Sequence, residues 1–116
     1  MNLAQIQAIL KADVLSGSEA LEAKVVGVCA CDLMSDVLSF APPGALLLTG
    51  LTNPQVVRAA DMAELAGVCV VRGKRPDPDT VALASEKGIP LLGTRHSLYE
   101  ACGLLHGVGV PGCIGA

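Results

Sequence analysis

Aromatic residues are nearly missing: the 116-residue chain has one Phe, one Tyr and no Trp. That leaves little surface on which unpaired bases could stack, which counts against single-stranded nucleic-acid binding. Positive charge is scarce as well. Eight Lys+Arg stand against eleven Asp+Glu, a formal net charge of −3, the wrong balance for tracking a phosphate backbone. Nucleic acid is therefore not an expected partner. No apolar run approaches the roughly 20 residues that span a bilayer. The opening MNLAQIQAIL has no basic segment followed by a long apolar one, so it does not read as a secretory leader. The five cysteines are odd in number and scattered, without a C-x-x-C pair. They read as reduced thiols, and the expected location is the cytoplasm.

What is present is small and apolar. Hydrophobic residues make up 52% of the chain, so the core must be built from Ala, Val, Leu, Ile and Gly. Such side chains let helices lie close to a sheet. The length fits one domain, which can bury roughly two-thirds of its unfolded surface. It needs neither disulfide nor metal to fold, and no cofactor is expected.

The pattern along the chain alternates. Residues 3–11 place Leu3, Ile6 and Leu10 on one helical face behind Asn2 as N-cap. ADVLSGS reads as a brief strand running into a turn, and KVVGVCAC, 24–31, as a second strand. DLMSDVLSF, 32–40, reads as a short helix with Asp32 or Ser35 near its start, stopped by APPG. ALLLTG, VCVVR (68–72) and IPLLGT are strands. Asn53-Pro54 and Asp77-Pro78 each pair a cap with a proline suited to the first helical turn. The helices that follow are expected to close at Gly67 and Gly88. Ser97 and Glu100 have capping-box spacing ahead of a last helix carrying Leu98, Ala101, Cys102 and Leu105. Apolar strands alternating with helices imply parallel pairing through right-handed crossovers. The expected fold is α/β, a parallel-rich sheet built from βα repeats with helices packed on it. Residues 1–110 form the domain and 111–116 a flexible tail.

Several short motifs reduce to structure. GVGVPG, 107–112, matches G-x-G-x-x-G literally but follows a helix and precedes none, the reverse of a dinucleotide fingerprint. Gly73-Lys74 resembles the end of a phosphate loop, yet Val68 and Arg75 occupy positions that need Gly and Ser/Thr. Cys29 and Cys31 share a strand face and read as small core residues. Cys102 and His106, four apart on a helix, read as packing. His96-Ser97 is a poor nucleophile–base pair, and Ser97 serves better as an N-cap. Asp32 and Asp36 read as one cap and one solvated carboxylate. No catalytic constellation stands out, so the chain is not expected to be an enzyme.

The exception is VVRGKRPDPDT, which gathers three of the eight cations, Arg72, Lys74 and Arg75, at the end of an apolar strand. One account is neutralisation by Asp77 and Asp79, in surface pairs contributing roughly 0–1 kcal/mol. The other is a binding site. Parallel strands ending near Thr49, Arg72 and Gly93 share one sheet edge, beyond which ligands sit in open α/β sheets. Helix N-termini at Asn53, Asp77 and Ser97 add partial positive charge there. The candidate anion site is Thr49, Gly50, Arg72, Gly73, Lys74, Thr94 and Arg95, with His96 beside it.

Over roughly residues 1–110 the chain resembles the DRTGG domain family. The resemblance rests on CDLMSDVL, PPGALLLTG, NPQVVRAADMAELAGVCVVRGKRPDPDTVALASEKGIPLL and TRHSLYEA. The string that names the family is absent, and VVRGK stands at the corresponding strand end. The resemblance implies a fold like the N-terminal domain of HPr kinase/phosphorylase. A more distant analogy is the N-terminal domain of Mur ligases, which binds a uridine nucleotide and has a rhythm similar to PPGALLLTG…AELAGVCVV. Such domains occur alone or joined to CBS, phosphotransacetylase or pyrophosphatase domains. The implied role is regulatory or accessory: sensing a small anionic metabolite or nucleotide. The alternative is an interaction and dimerisation module docking on a metabolic or redox enzyme. With only 16% charged residues, a homodimer is expected, with Leu33, Met34, Val37 and Leu38 contributing to the interface.

Overall fold

The computed structural model describes residues 1–113. The apolar runs join one sheet: β1 (Asp13–Ser16), β2 (Gly27–Ala30), β3 (Ala45–Thr49), β4 (Gly67–Val70) and β5 (Leu91–Gly93). Their spatial order is β1-β5-β4-β3-β2. The pairs β2–β3, β3–β4 and β4–β5 are parallel, with Leu47 opposite Val68 and Cys69 opposite Leu92. The three strands expected as parallel neighbours are so. The first strand joins the same sheet antiparallel to β5, with Asp13 opposite Gly93.

Five helices cover the sheet: α1 (Leu3–Leu10), α2 (Met34–Phe40), α3 (Gln55–Met62), α4 (Pro78–Lys87) and α5 (Leu98–Gly107). Successive right-handed crossovers between strands added in one direction keep their helices on one face. Val37, Val56, Val57, Ala60 and Ala84 of α2, α3 and α4 accordingly pack with Leu47, Val68, Val70 and Leu91. The other face of the same strands, Leu46, Leu48, Cys69 and Leu92, receives Leu3, Ile6 and Leu10 of α1 and Ala101 and Leu105 of α5. A sheet buried on both sides explains why β3 and β4 are buried at every position, and apolar at all but Thr49, rather than alternating. Among the described residues no helix is long and apolar enough to cross a membrane.

Local signals hold at several ends. Asn2 and Gln5 form a reciprocal capping box, each bond 2.9 Å. Ser97 Oγ, at the N-cap of α5, accepts from Glu100 N–H at 3.1 Å; Asn53, expected as the cap of α3, lies one residue before the N-cap Pro54, although its Oδ1 still accepts from Gln55 N–H at 3.0 Å. Gly88 closes α4 in the left-handed conformation, φ 68. Gly67, expected to close α3, instead opens β4. The helix stops five residues sooner, because Leu65 enters the core and Ala66 N–H donates to Ala45 O at 2.8 Å. A Cβ at Gly67 would stand 3.1 Å from Pro90 O, so this glycine serves the close approach of neighbouring strands.

Three further expectations need correction. Of Asp32 and Asp36, read as one cap and one solvated carboxylate, neither caps α2; Leu33 is its N-cap residue, without a side-chain bond, and Asp36 lies in its first turn. Val37 is fully buried, so it belongs to the core and not to an interface, while Leu33 and Leu38 stay exposed. Pro111–Cys113, expected as part of a free tail, hydrogen-bond to the outer edge of β2. Positions 114–116 of that tail lie outside the described residues.

Candidate functional site

The strand ends do not form one continuous site. From β4 the chain passes through 71–77 to α4 on one face of the sheet. From the parallel neighbour β5 it passes through 94–97 to α5 on the other face. Connections that part in this way open a crevice at the C-terminal ends of the two strands, the usual ligand position in open α/β sheets. The floor is stitched by Arg72 N–H to His96 O at 2.8 Å and Gly73 N–H to Thr94 O at 2.9 Å. Beside it, reaching over Asp13 and Leu15 of β1 and Val81 and Ala82 of α4, opens a cavity of about 1190 Å³. Lys74 and Arg75 line one wall, Arg95 and His96 the other, and Lys11 the end beside α1. Four of the chain's eight Lys+Arg thus face one cavity.

Among the described residues those cations make no close ion pair, although Lys74 and Arg72 lie near enough to Asp32 to act on its carboxyl. Among the described residues the single ion pair is Lys87–Asp61 at 3.3 Å, elsewhere on the molecule. Asp77 and Asp79 pair with none of Arg72, Lys74 and Arg75, contrary to the neutralisation account. Asp77 heads α4 without a side-chain cap bond, and Pro78 supplies the first helical residue. Thr80 fixes this start: its hydroxyl donates to Thr52 O at 2.7 Å. Asp13 and Asp77 also border the cavity, so its charge is mixed with a positive excess.

The turn that presents the cations is strained. Arg72 and Gly73 have φ of 63 and 65 in succession. A glycine takes this conformation freely, but an arginine there is uncommon. Arg72, Gly73, Lys74, Arg75 and Arg95 are all exposed.

A second cluster lies over the end of β3. Asp32, just past β2, accepts from the Thr49 hydroxyl and from Gly50 N–H, both at 2.8 Å. Lys74 Nζ donates to Gly50 O at 3.0 Å. The Gly50 N–H bond first, then the Thr49 hydroxyl, hold the Asp32 carboxyl below its usual value, with help from the Lys74 and Arg72 charges and against partial burial. Lys74 therefore borders both this cluster and the crevice. The sequence pattern places Asp32 at a helix start. The signal that locates it is topological: β2, β3 and β4 are consecutive parallel neighbours, so Asp32, Thr49 and Lys74 end on one edge.

The two candidate threonines turn inward. Thr49 is fully buried and its hydroxyl also accepts from Leu51 N–H at 3.2 Å. Thr94 donates to Leu10 O at 2.7 Å, tying the end of α1 to β5, and accepts from His96 N–H at 3.3 Å. Both hydroxyls shape the strand ends. Gly73, Lys74 and Arg95 surround the crevice; Thr49 and Gly50 belong to the Asp32 cluster, with Arg72 near enough to bias it electrostatically.

No curated protein sequence matches the chain. Among solved structures it resembles the crystal structure of the CBS and DRTGG domains of the regulatory region of Clostridium perfringens pyrophosphatase, complexed with its activator diadenosine tetraphosphate. The TM-score is 0.75 at 18% identity, over 90% of this chain and 45% of that one. The likeness is one of fold, and this chain spans less than half the length of that structure. The DRTGG domain model matches residues 5–108, nearly the whole α/β unit whose strand ends build the crevice, and the chain belongs to the DRTGG domain family.

Proposed function

We propose that this domain is a non-catalytic regulatory module that binds a small anionic metabolite or nucleotide in the crevice between the ends of β4 and β5. The observation that carries this reading is the placement of Lys11, Lys74, Arg75 and Arg95 around one cavity, free of ion pairs among the described residues. Phosphate groups fit such a lining, because Arg and Lys donate charge-assisted hydrogen bonds to them. Neither Phe40 nor Tyr99 lines the cavity, so recognition rests on phosphate more than on base stacking. Gly73, Lys74 and Arg95 are the proposed contacts, while Thr49, Gly50 and Thr94 hold the strand ends and Arg72 adds field. The nucleotide activator on the pyrophosphatase regulatory region lends support to the class of ligand, not to its place here. The five free thiols fit a reducing cytoplasm.

A second reading, an interaction module that self-associates or docks on a metabolic enzyme, is supported by Leu33, Leu38 and Phe40, all exposed around α2. The two are compatible, since a sensor must transmit its state.

Thermal unfolding against a panel of nucleotides, pyrophosphate and phosphate at constant ionic strength tests the ligand. At a hundredfold excess over Kd, a ligand stabilises by about 2.7 kcal/mol, roughly 10 °C for a domain of this size. Replacing Lys74 and Arg95 by Ala should abolish that shift. A shift surviving in the double variant would place the ligand elsewhere.

A further inference from the structure

The outer edge of β2 carries a pair of thiols that the anion site leaves unused. Val28 N–H donates to Pro111 O at 2.8 Å, and Cys113 N–H donates to Val28 O at 3.0 Å. Gly112 is thereby bridged in parallel to Val28. One position further along each segment stand Cys29 and Cys113. Neighbouring strands run roughly 4.8 Å apart, inside the range of Cα separations, about 4.4–6.8 Å, that a disulfide spans. Side chains alternate along a strand, so Gly27, Cys29 and Cys31 face one side. The Cys113 thiol lies over Gly27 on that side, in space that a Cβ at residue 27 would fill. Cys29 is buried, Cys113 is half-buried, and both pack in the same apolar cluster as Cys31. A cavity of about 490 Å³, lined by Cys29, Cys31, Pro111 and Gly112, opens at this edge beside Cys113.

We propose that Cys29 and Cys113 form an oxidisable dithiol whose co-reactant is a low-molecular-weight disulfide of the oxidised-glutathione class, and that their disulfide fastens residues 111–113 to the edge of β2. The more accessible Cys113 acts first. Its thiolate attacks one sulfur of oxidised glutathione; the glutathione S–S bond breaks, and one glutathione leaves as thiolate and takes up a proton. The Cys29 thiolate then attacks the Cys113 sulfur of the mixed disulfide and expels the second glutathione. The two protein thiols lose two electrons in total, and one oxidised glutathione becomes two reduced ones. Burial, then the neighbouring Cys31 and Cys113 thiols and Asp36 of α2, push Cys29 up to about 11, and burial raises Cys113. His106 of α5 lines the same opening. Both thiols are therefore protonated at neutral pH, and exchange is slow there and faster in mild alkali. In a reducing compartment the pair stays as thiols and two backbone hydrogen bonds hold the edge. The link forms as the disulfide fraction of the thiol pool rises, and the edge can then no longer open for pairing with another strand.

The test is incubation of the full chain with oxidised glutathione at pH 8, followed by alkylation and mass mapping. Alkylatable thiols should fall from the five present to three, with a Cys29–Cys113 linked peptide that dithiothreitol releases. Cys31→Ser should behave as the unaltered chain, and Cys113→Ser, at a half-exposed position, should form no internal link. A persistent glutathione adduct on Cys113, a Cys31–Cys113 link, or five free thiols after prolonged incubation would each overturn the proposal.

Discussion

Replacing Arg72 by Gly separates what the backbone needs at the end of β4 from what the cation is for. Arg72 has φ 63, a conformation that costs a non-glycine residue roughly 1–2 kcal/mol. Its N–H bond to His96 O would survive the change. The side chain is exposed and makes no hydrogen bond or ion pair among the described residues; its attraction to Asp32 is screened and contributes about 0.5 kcal/mol at most. Against the relief stands the greater freedom of glycine in the unfolded chain, roughly 0.4–1 kcal/mol. The Gly variant should thus be as stable as the native sequence or up to about 1 kcal/mol more stable, a rise of up to roughly 4 °C in melting temperature. Arg72→Ala keeps the strain and should be neutral or slightly destabilised. Urea and thermal unfolding of the three proteins side by side provide the assay. A Gly variant destabilised by more than about 1 kcal/mol would refute the reasoning, because the arginine side chain would then be holding the strand end. If the prediction holds, strain is tolerated at a residue the fold does not require, the pattern expected near a binding site.

Asp32→Ala should cost about 1 kcal/mol near neutral pH, a charged hydrogen-bond contribution reduced for an exposed carboxylate. The folded-state value of Asp32 is depressed, so its contribution is present above the unfolded value near 3.9 and is lost as pH falls through the folded value. The stability gap between the native sequence and the variant should be flat from pH 7 to 5 and close in acid; a gap that widens on acidification contradicts the assignment. Light scattering at tens of micromolar should give a dimer mass, and Leu38→Glu combined with Phe40→Glu a monomer; a monomeric native chain removes the dimer.

Much of the α/β layout was legible because it rests on local chemistry. Apolar runs of strand length, a proline after Asn53 and after Asp77, and Gly88 past a helical pattern each report nearby residues. The misses depend on packing from afar. Leu33, Met34, Val37 and Leu38 are all apolar, and only the seating of α2 on α3 and the sheet decides that Val37 turns inward. Strand β1 could not be assigned to an edge from its four residues, since its partner is β5, some eighty positions on. Asp32 looked like a helix cap because its real partners, Thr49 and Gly50, arrive from the next strand. The basic cluster was visible in sequence; the crevice was not. It exists because α5 takes the face opposite to α4, and no local pattern records that choice.

The most direct measurement is an amide NMR titration with adenosine triphosphate and with pyrophosphate, each at constant ionic strength. The account predicts saturable shifts concentrated at Gly73, Lys74, Arg75, Arg95 and His96, which surround the crevice, with β2 and α2 unmoved. Saturable shifts centred on the β2 edge, or only weak non-saturating changes spread over every exposed cation, would contradict it.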